Sequence, residues 1–449
     1  MPAAADDKLL PFTLPSIGGK KITAAFDGGR ISSDGGALLL AGMDRRLGLI
    51  DAMSKVLPDR RDPVLTTHTH ADMLRARIFA IACGYPDADD LDDLRHDPAF
   101  KLACGRLPES GGGLASQPTI SRLENRPDQR TLIRLARVMI DLWCQSRRAP
   151  KSITLDIDDT ADIVHGHQQL SLFNAHYDER CFMPLHVYDA ETGHCLLALL
   201  RPGKTPHGKE VRAHIRRLVR RIRLHWSDTA ITIRGDSHYG RPEAMEWCEN
   251  NGVRYVFGLA GNSVLDVKVF PETDAICVKR ACWNLDVLRD FTETVYRAKS
   301  WSRERRVVAR IEATRRGLDI RYVVSNIARG SAEWLYASVY CARGNAENRI
   351  KRHKSQLASD RTSCRSPLAN QMRLFLHTAA YWLMNAAQQA IPATHRLANA
   401  DFATLRLRLL KVAVRIHETA SRVRLAFAAN CPDAVLFRGL ARRLLPRPT

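Results

Sequence analysis

The sequence of 449 residues lacks several features that mark particular protein classes. Its 11 cysteines contain no Cys-x-x-Cys pair, which argues against a small secreted disulfide protein and favours reduced thiols in a cytoplasmic one. No apolar run approaches the roughly 20 residues of a membrane-spanning helix. The first residues, with Asp6, Asp7 and Lys8, do not resemble a signal peptide. No complete Gly-x-x-x-x-Gly-Lys-(Ser/Thr) phosphate loop occurs, because Gly203 to Lys209 have the glycine and lysine spacing but are followed by Glu210; we therefore expect no ATP requirement. These absences predict a cytoplasmic protein without membrane contact.

Positive charge is what the sequence has in excess. There are 68 lysines and arginines against 48 acids, which gives a formal net charge of +20. Between Arg201 and Trp226 there are nine lysines or arginines and a single acid, Glu210. Such an excess indicates a polyanionic partner, most simply nucleic acid, although basic solvent-facing surfaces are also common.

The N-terminal region, residues 1–149, is predicted to be helical and to bind DNA. Residues 71–83 and 121–143 have apolar side chains at helical spacing. The second stretch opens with Pro118-Thr-Ile-Ser-Arg122, whose hydroxyls and guanidinium suit phosphate or base-edge contacts in a helix-turn-helix. Plain N-capping of a structural helix is the alternative. Residues 146–150 form the linker to the next region.

The rest of the chain alternates between strand and helix patterns. Residues 150–262 follow the order β-β-β-α-β-α-β, which predicts an α/β, ribonuclease-H-like catalytic core completed by residues 336–390. Residues 263–335 are predicted to be a β-rich insertion with strands at 275–278, 291–297, 306–311 and 320–324. The final region, 391–449, is predicted to be basic and helical, with an amphipathic helix over residues 405–425.

Two aspartates stand at the ends of predicted strands. Asp158 ends the first strand of the core and Asp236 follows the fourth, and these two strands pair in parallel in a ribonuclease-H-like sheet. The carboxyl ends of neighbouring parallel strands are where α/β sheets bind ligands. Asp156 is an alternative to Asp158, but Asp158 is closer to the strand end. The two acids are therefore expected to lie close together.

A third acid lies on a later predicted helix. Tyr340, Arg343, Glu347 and Lys354 are spaced by three, four and seven residues, which places them on one helix stripe. The alternative is a solvated helix with a Glu347–Lys351 pair worth a few tenths of a kcal/mol. With Asp158 and Asp236, Glu347 would hold Mg²⁺ or Mn²⁺, two ions in all, because hard divalent cations prefer carboxylate oxygens.

With these motifs the chain resembles DDE transposases of bacterial insertion sequences, in the group marked by a Tyr–Arg–Glu–Lys signature. It is most similar to the insertion-sequence family numbered 1380. The similar segments, spread over most of residues 80–390, are Leu155-Asp-Ile-Asp158, His165-Gly166, Phe173-Asn174, Tyr177-Asp178, Leu200-Arg-Pro-Gly203 and Arg234-Gly-Asp236-Ser237.

The resemblance implies that Asp158, Asp236 and Glu347 are the catalytic triad and metal ligands. It implies that Arg343 and Lys354 contact DNA near the cleaved end, with Tyr340 beside them. It also implies a β-rich insertion that supplies a tryptophan to hold a flipped base. Trp301, which is flanked by cations, is the candidate; Trp283 is its rival.

The expected function is metal-dependent cleavage at element ends, followed by attack of the freed 3′-hydroxyl on target or complementary-strand DNA. The partners would be terminal inverted repeats and target DNA, bound by a homodimer in a bacterial, nucleoid-associated setting. Between Arg201 and Trp226 the sequence predicts a basic amphipathic helix, with Val211, Ile215, Leu218, Ile222 and Trp226 inward and Arg212, Arg216, Arg220 and Arg223 outward. Arg212, Arg216 and Arg220 of this helix are expected to contact DNA. Two alternatives are a catalytically silent DNA-binding regulator derived from a transposase and a ribonuclease-H-like nuclease that does not join DNA.

Overall fold

A computed structural model describes residues 11–444 of the chain. Within this range the chain forms two compact units. The core unit consists of residues 47–60 and 122–385, and the flanking unit of residues 11–46, 61–121 and 386–444. Both ends of the described chain therefore contribute to the flanking unit.

The fifteen α-helices described alternate with sixteen strands. The helices are α1 (Ala37–Leu47), α2 (Leu49–Val56), α3 (His70–Cys83), α4 (Leu91–Leu94), α5 (Pro98–Ala103), α6 (Gln117–Asn125), α7 (Gln129–Gln145), α8 (Gly208–Arg223), α9 (Pro242–Asn250), α10 (Ser263–Lys268), α11 (Phe270–Cys282), α12 (Gly344–Lys351), α13 (Pro367–Gln389), α14 (Phe402–Leu405) and α15 (Ala434–Leu444). The strands are β1 (Phe12–Ile17), β2 (Lys20–Ala24), β3 (Ile31–Ser32), β4 (Ser152–Asp159), β5 (Asp162–Ile163), β6 (Leu172–Asn174), β7 (Glu179–Phe182), β8 (Leu185–Asp189), β9 (Cys195–Leu199), β10 (Ala230–Gly235), β11 (Arg254–Leu259), β12 (Val287–Tyr296), β13 (Arg305–Thr314), β14 (Gly317–Ser325), β15 (Val414–Glu418) and β16 (Val423–Phe427).

The core unit is built on a mixed sheet of eight strands in the order β12-β13-β14-β11-β10-β4-β8-β9. Strand β10 pairs in parallel with both β4 and β11, while the other pairs are antiparallel. The predicted parallel pairing of the first and fourth core strands, β4 and β10, is confirmed. Strand β4 is paired with β10 as far as Ile157, and its last two residues, Asp158 and Asp159, pair with β8 alone.

The predicted insertion contains both helices and strands. Three long strands, β12 to β14, extend the large sheet beyond β11, which confirms three of the four predicted strands. The prediction of a strand at residues 275–278 was wrong, because these residues lie within α11. That helix buries Thr273 and Ile276, three residues apart, so a helical period outweighed the local β-branched composition.

The flanking unit contains a three-stranded sheet, β16-β15-β3. The prediction of a helix over residues 405–425 was wrong. After a π-helical turn at Arg406–Leu410, the chain forms the antiparallel pair β15 and β16. Val414 and Ile416 are buried against Ala99 of α5, whereas Arg415 between them is exposed. This alternation of buried and exposed residues indicates a strand. The many arginines of the segment had made it resemble a basic amphipathic helix.

The segment predicted to contact DNA in the N-terminal region lies at the start of α6. The backbone amide of Gln117 donates a hydrogen bond to the Asp92 carboxylate at 2.9 Å, and the Ser116 and Thr119 hydroxyls lie 3.3 Å apart. A carboxylate thus occupies the position that a phosphate would take at this amide, as expected of the capping alternative.

Across residues 11–444, every helix is too short or too polar to cross a lipid bilayer.

Candidate active site

Asp158 lies near the carboxyl end of β4, opposite His186 on β8. Only 8% of the surface of Asp158 is exposed to solvent. It accepts hydrogen bonds from the Arg343 guanidinium at 2.7 Å and from the backbone amide of Asp159 at 3.1 Å. Burial raises the pKa of Asp158 to about 7; the charges of Asp236 and Asp159 also raise it, and Arg343 opposes them. Asp158 is therefore a buried acid with one guanidinium in contact and two further acids nearby.

Asp236 directly follows β10, the parallel neighbour of β4. Its carboxylate accepts a hydrogen bond from the His238 backbone amide at 2.9 Å. Burial raises the pKa of Asp236, His238 opposes the shift, and Asp159 adds to it. Gly258 on β11 makes room here, because a Cβ on it would lie 2.9 Å from both the Ser237 nitrogen and the Tyr340 hydroxyl. The two aspartates thus meet at one edge of the sheet, as the sequence predicted.

Glu347 lies in the first turn of α12 and its side chain is 67% exposed. Arg343 connects it to the sheet, with its guanidinium 3.6 Å from Glu347 and 2.7 Å from Asp158. The i,i+4 partner of Glu347 seen here is therefore Arg343, and not the Lys351 of the alternative interpretation. Within residues 11–444, no group of three or more His, Cys, Asp or Glu side chains is close enough to enclose a metal ion. Asp158 and Glu347 share Arg343, but with Asp236 they do not form a closed cage.

The segment carrying the four signature residues is helical but irregular. It runs through a π-helical turn at Trp334–Tyr340, a 3₁₀ turn at Cys341–Arg343, α12 and a second π-helical turn at Arg352–Gln356. The single stripe expected from a regular 3.6-residue period is thus only approximate. Turns of this kind are frequent at functional sites.

Tyr340 and Lys354 lie at the two ends of this segment. The Arg343 guanidinium is 6.0 Å from the centroid of the Tyr340 ring, and burial raises the pKa of the Tyr340 hydroxyl. The Lys354 ammonium donates to the Ala161 carbonyl and lies 3.8 Å from Asp162. Lys354 is thus in contact with the chain immediately after β4, which fixes this end of the segment to the same edge of the sheet.

Asp156, the alternative to Asp158, has a different environment. It is 0% exposed, and Arg234 donates two hydrogen bonds to its carboxylate at 2.6 and 2.9 Å. Burial raises its pKa and these bonds act against the shift. Asp156 is thus paired with Arg234, whereas Asp158 is paired with Arg343, which also contacts Glu347.

Two residues beside the site, Asp159 and Tyr239, were not proposed as site residues from the sequence, whereas His238 was a candidate to orient a phosphate or a water. Asp159 accepts a hydrogen bond from the Tyr239 hydroxyl at 3.2 Å, and His238 Nδ1 lies 3.4 Å from its carboxylate. This contact raises the pKa of His238. On a strand, neighbouring residues such as Asp158 and Asp159 point to opposite faces, which argues against Asp159 as a partner of Asp158. The available signal was the position of His238 and Tyr239 immediately after Asp236, at the neighbouring strand end.

Comparison with known proteins identifies the family. The family model described as transposase DDE domain group 1 matches residues 14–449. The chain belongs to the DDE transposases. No curated protein sequence matches it. A piggyBac transposase, solved by cryo-electron microscopy as a synaptic complex with hairpin DNA, matches 92% of this chain and 85% of its own at 12% identity and a TM-score of 0.39. This transposase and that one are thus only distantly similar.

The two candidate base-stacking tryptophans of the transposase differ in exposure. Trp301 is 5% exposed and packs edge-on against Tyr296, with the Arg305 guanidinium 5.1 Å from its ring. Trp283, at the end of α11, is 64% exposed. Trp283 is therefore the better placed of the two to meet a base without rearrangement of the protein.

The basic helix is α8, and its two faces are those that the sequence predicted. Val211, Ile215, Leu218 and Ile222 are buried. Arg212 and Arg220 are exposed and Arg216 is half-buried, and none of the three forms an ion pair within residues 11–444. Arg223 donates to the Asn251 carbonyl. The face of α8 thus carries unneutralised positive charge.

Proposed function

We propose that this DDE transposase cleaves DNA at the ends of a mobile element and transfers the freed 3′-hydroxyl to another DNA strand, with Asp158, Asp236 and Glu347 as its catalytic carboxylates. One observation carries the proposal: two largely buried acids with raised pKa values end adjacent parallel strands, in a chain of the DDE family. Arg343, which contacts both Asp158 and Glu347, links the third acid to them.

The donor set fits divalent cations. Carboxylate oxygens are the ligands that Mg²⁺ and Mn²⁺ prefer. Burial first, and then the charges of Asp236 and Asp159, raise the pKa of Asp158, and a bound cation would lower it. Asp158, Asp236 and Glu347 would hold two ions, which when bound activate the attacking oxygen and stabilise the leaving one. We infer that Arg343 then exchanges its carboxylate partners for a DNA phosphate, because a guanidinium binds either group in the same planar geometry.

The remaining parts of the proposal concern the scaffold and its DNA. The strand order β9-β8-β4-β10-β11, with β4 and β10 parallel, supports a ribonuclease-H-like core, of which β12 to β14 are an extension. The exposed arginines of α8, together with Tyr340, Arg343 and Lys354, would contact terminal inverted repeats and target DNA. The same proposal includes base stacking by Trp283 or Trp301 and a homodimer in the DNA complex. It also includes an origin in a bacterial insertion sequence of the 1380 family and a cytoplasmic, nucleoid-associated location.

The test is cleavage and joining by an Asp236→Asn variant. The substrate is a duplex bearing the inverted repeats that flank the gene, with Mg²⁺ or Mn²⁺ present. We expect the variant to bind the duplex as the wild type does but to nick it at least a thousandfold more slowly, whereas the exposed-acid control Asp228→Asn should keep full activity. Wild-type nicking by Asp236→Asn would contradict the proposal.

The same assay separates the alternatives. Binding without metal-dependent nicking by the wild type would identify a silent DNA-binding regulator. Nicks without joined products that contain the element's 3′ end would identify a nuclease.

A further inference from the structure

A buried carboxylate connects the strands that carry the two proposed catalytic aspartates. Asp156 precedes Asp158 by two residues on β4, and Arg234 precedes Asp236 by two residues on β10. Nε and Nη2 of Arg234 donate to the two oxygens of Asp156 at 2.6 and 2.9 Å. Side chains two residues apart on a strand lie on the same side. This bidentate bond therefore joins β4 and β10 two residues before the two catalytic aspartates.

The same carboxylate also reaches the helical segment that carries Glu347. Arg349 follows Glu347 by two residues, and its Nη1 lies 3.8 Å from Asp156 Oδ2. The Arg349 guanidinium donates to the carbonyls of Asp189 and Ala190, at 3.1 and 2.6 Å, where β8 ends. It therefore fixes α12 against the sheet through three acceptors.

A second bond holds the beginning of this helical segment. Nη1 of Arg234 donates to the Val339 carbonyl at 2.7 Å, directly before Tyr340. The Arg234–Asp156–Arg349 cluster thus contacts the helical segment both before and after Arg343 and Glu347. All of its charged groups are buried or nearly so.

Stability alone does not account for such a cluster. Burying an ion pair costs desolvation free energy, and well-packed apolar residues in its place are often as stable or more so. Charged groups paired in bidentate geometry also fix the relative positions of the elements that carry them. Here those elements are the three that carry Asp158, Asp236 and Glu347.

We propose that Asp156, held between Arg234 and Arg349, is a positioning residue that sets the relative positions of the three catalytic carboxylates for metal binding. This inference rests on the proposed function. Asp156 would touch neither the metal ions nor the DNA, and it acts through the backbone of β4 and through the two arginines.

The experiment measures Mn²⁺ affinity by isothermal titration calorimetry, with full-length protein bound to the end-bearing duplex. Asp156→Asn keeps the shape of the side chain but removes its charge, and Arg349→Met removes the ion pair that reaches α12. Each is expected to weaken Mn²⁺ binding by at least about tenfold, as is common when the groups that support metal ligands are replaced. The double variant should bind Mn²⁺ no more weakly than the single variant with the lower Mn²⁺ affinity, because both changes break the same network.

Glu249→Gln is the matched control. Glu249 is a largely buried carboxylate on α9 that accepts two hydrogen bonds from Arg305 at 2.7 and 3.0 Å and one from Tyr255 at 2.7 Å. These partners lie on β13 and β11, and not on β4, β10 or α12. Glu249→Gln should lower the melting temperature while leaving Mn²⁺ affinity unchanged. If Asp156→Asn does not fold, Arg349→Met carries the test, since its side chain lies nearer the surface.

Mn²⁺ binding by Asp156→Asn and Arg349→Met equal to that of the wild type would overturn the inference, as would an equal weakening in Glu249→Gln. The failure of the proposed function looks different. In that case Asp158→Asn would bind Mn²⁺ like the wild type, or the wild type would bind none, and the inference would fall with it. Weakened binding in Asp158→Asn but not in Asp156→Asn would remove the inference alone.

Discussion

Replacing Arg343 with methionine should show how strongly Asp158 depends on the guanidinium in contact with it. The substitution removes the 2.7 Å bond to Asp158 and the 3.6 Å contact with Glu347. Because Asp158 is buried and beside Asp236 and Asp159, its carboxylate would be left without a cation. Breaking a buried pair in this way costs about 3 kcal/mol or more, which corresponds to a fall in melting temperature of roughly 6 °C for a unit of this size.

The destabilisation should depend on pH in a definite direction. The pKa of Asp158 is already raised to about 7, and without Arg343 it rises further. An acid whose pKa is higher in the folded than in the unfolded protein binds more protons when folded, so stability falls as pH rises through that range. The melting temperature of Arg343→Met should therefore lie further below that of the wild type at pH 8 than at pH 6.

Differential scanning fluorimetry at the two pH values, with and without Mn²⁺, measures both effects. On the proposed function, Mn²⁺ should raise the melting temperature of Arg343→Met more than that of the wild type, since it replaces the missing charge. Lys351→Met, on the exposed side of the same helix, is the control and should melt like the wild type. The reasoning is refuted if Arg343→Met melts within about 1 °C of the wild type at pH 8, within the scale set by a surface substitution.

Burial and charge give three further predictions. Trp301→Ala should destabilise the protein by about 3 kcal/mol or more in urea unfolding, whereas the exposed Trp283→Ala should leave stability unchanged and weaken single-strand end binding by about 1 to 3 kcal/mol if it stacks on a base. Glutamine at Arg212, Arg216 and Arg220 of α8 should reduce the slope of log affinity against log salt, measured by fluorescence anisotropy, by about 0.9 for each DNA phosphate that these arginines neutralise in the wild type. A contact with His214 at 3.7 Å and a hydrogen bond from Arg201 at 2.6 Å hold the pKa of Glu210 well below its ordinary value of 4.5. The contribution of Glu210 to stability is therefore present above that pH and disappears as pH falls below it; Glu210→Gln should flatten this part of the acid-unfolding curve.

Much of the core was predictable because its signals are local. The buried strands alternate or run apolar, and α8 repeats its apolar residues at helical spacing. The positions of Asp158 and Asp236 at strand ends followed from the sequence once β4 and β10 were taken as parallel neighbours. The spacing of Tyr340, Arg343, Glu347 and Lys354 predicted one helical segment, and the structure has a helical but irregular one.

The errors arose where local composition and tertiary packing disagree. Residues 275–278 are rich in β-branched and apolar side chains, yet they pack as part of α11. Residues 405–425 contain many arginines at spacings that fit a helix, yet Val414 and Ile416 are buried against α5 with a period of two. A short segment has too few residues to separate the two periods, so burial against a distant element decides between them.

The order of strands along the chain predicts which acids lie at the edge of the sheet and therefore what chemistry is available there. The pairing of these acids with cations depends on the three-dimensional fold. In the fold, Arg343 lies between Asp158 and Glu347, and Asp156 is paired with Arg234 and Arg349. The physical reason is that a charge in the interior is stable only beside a partner. Arg234 lies 78 residues from Asp156 and Arg343 lies 185 residues from Asp158, so no local pattern records these partners.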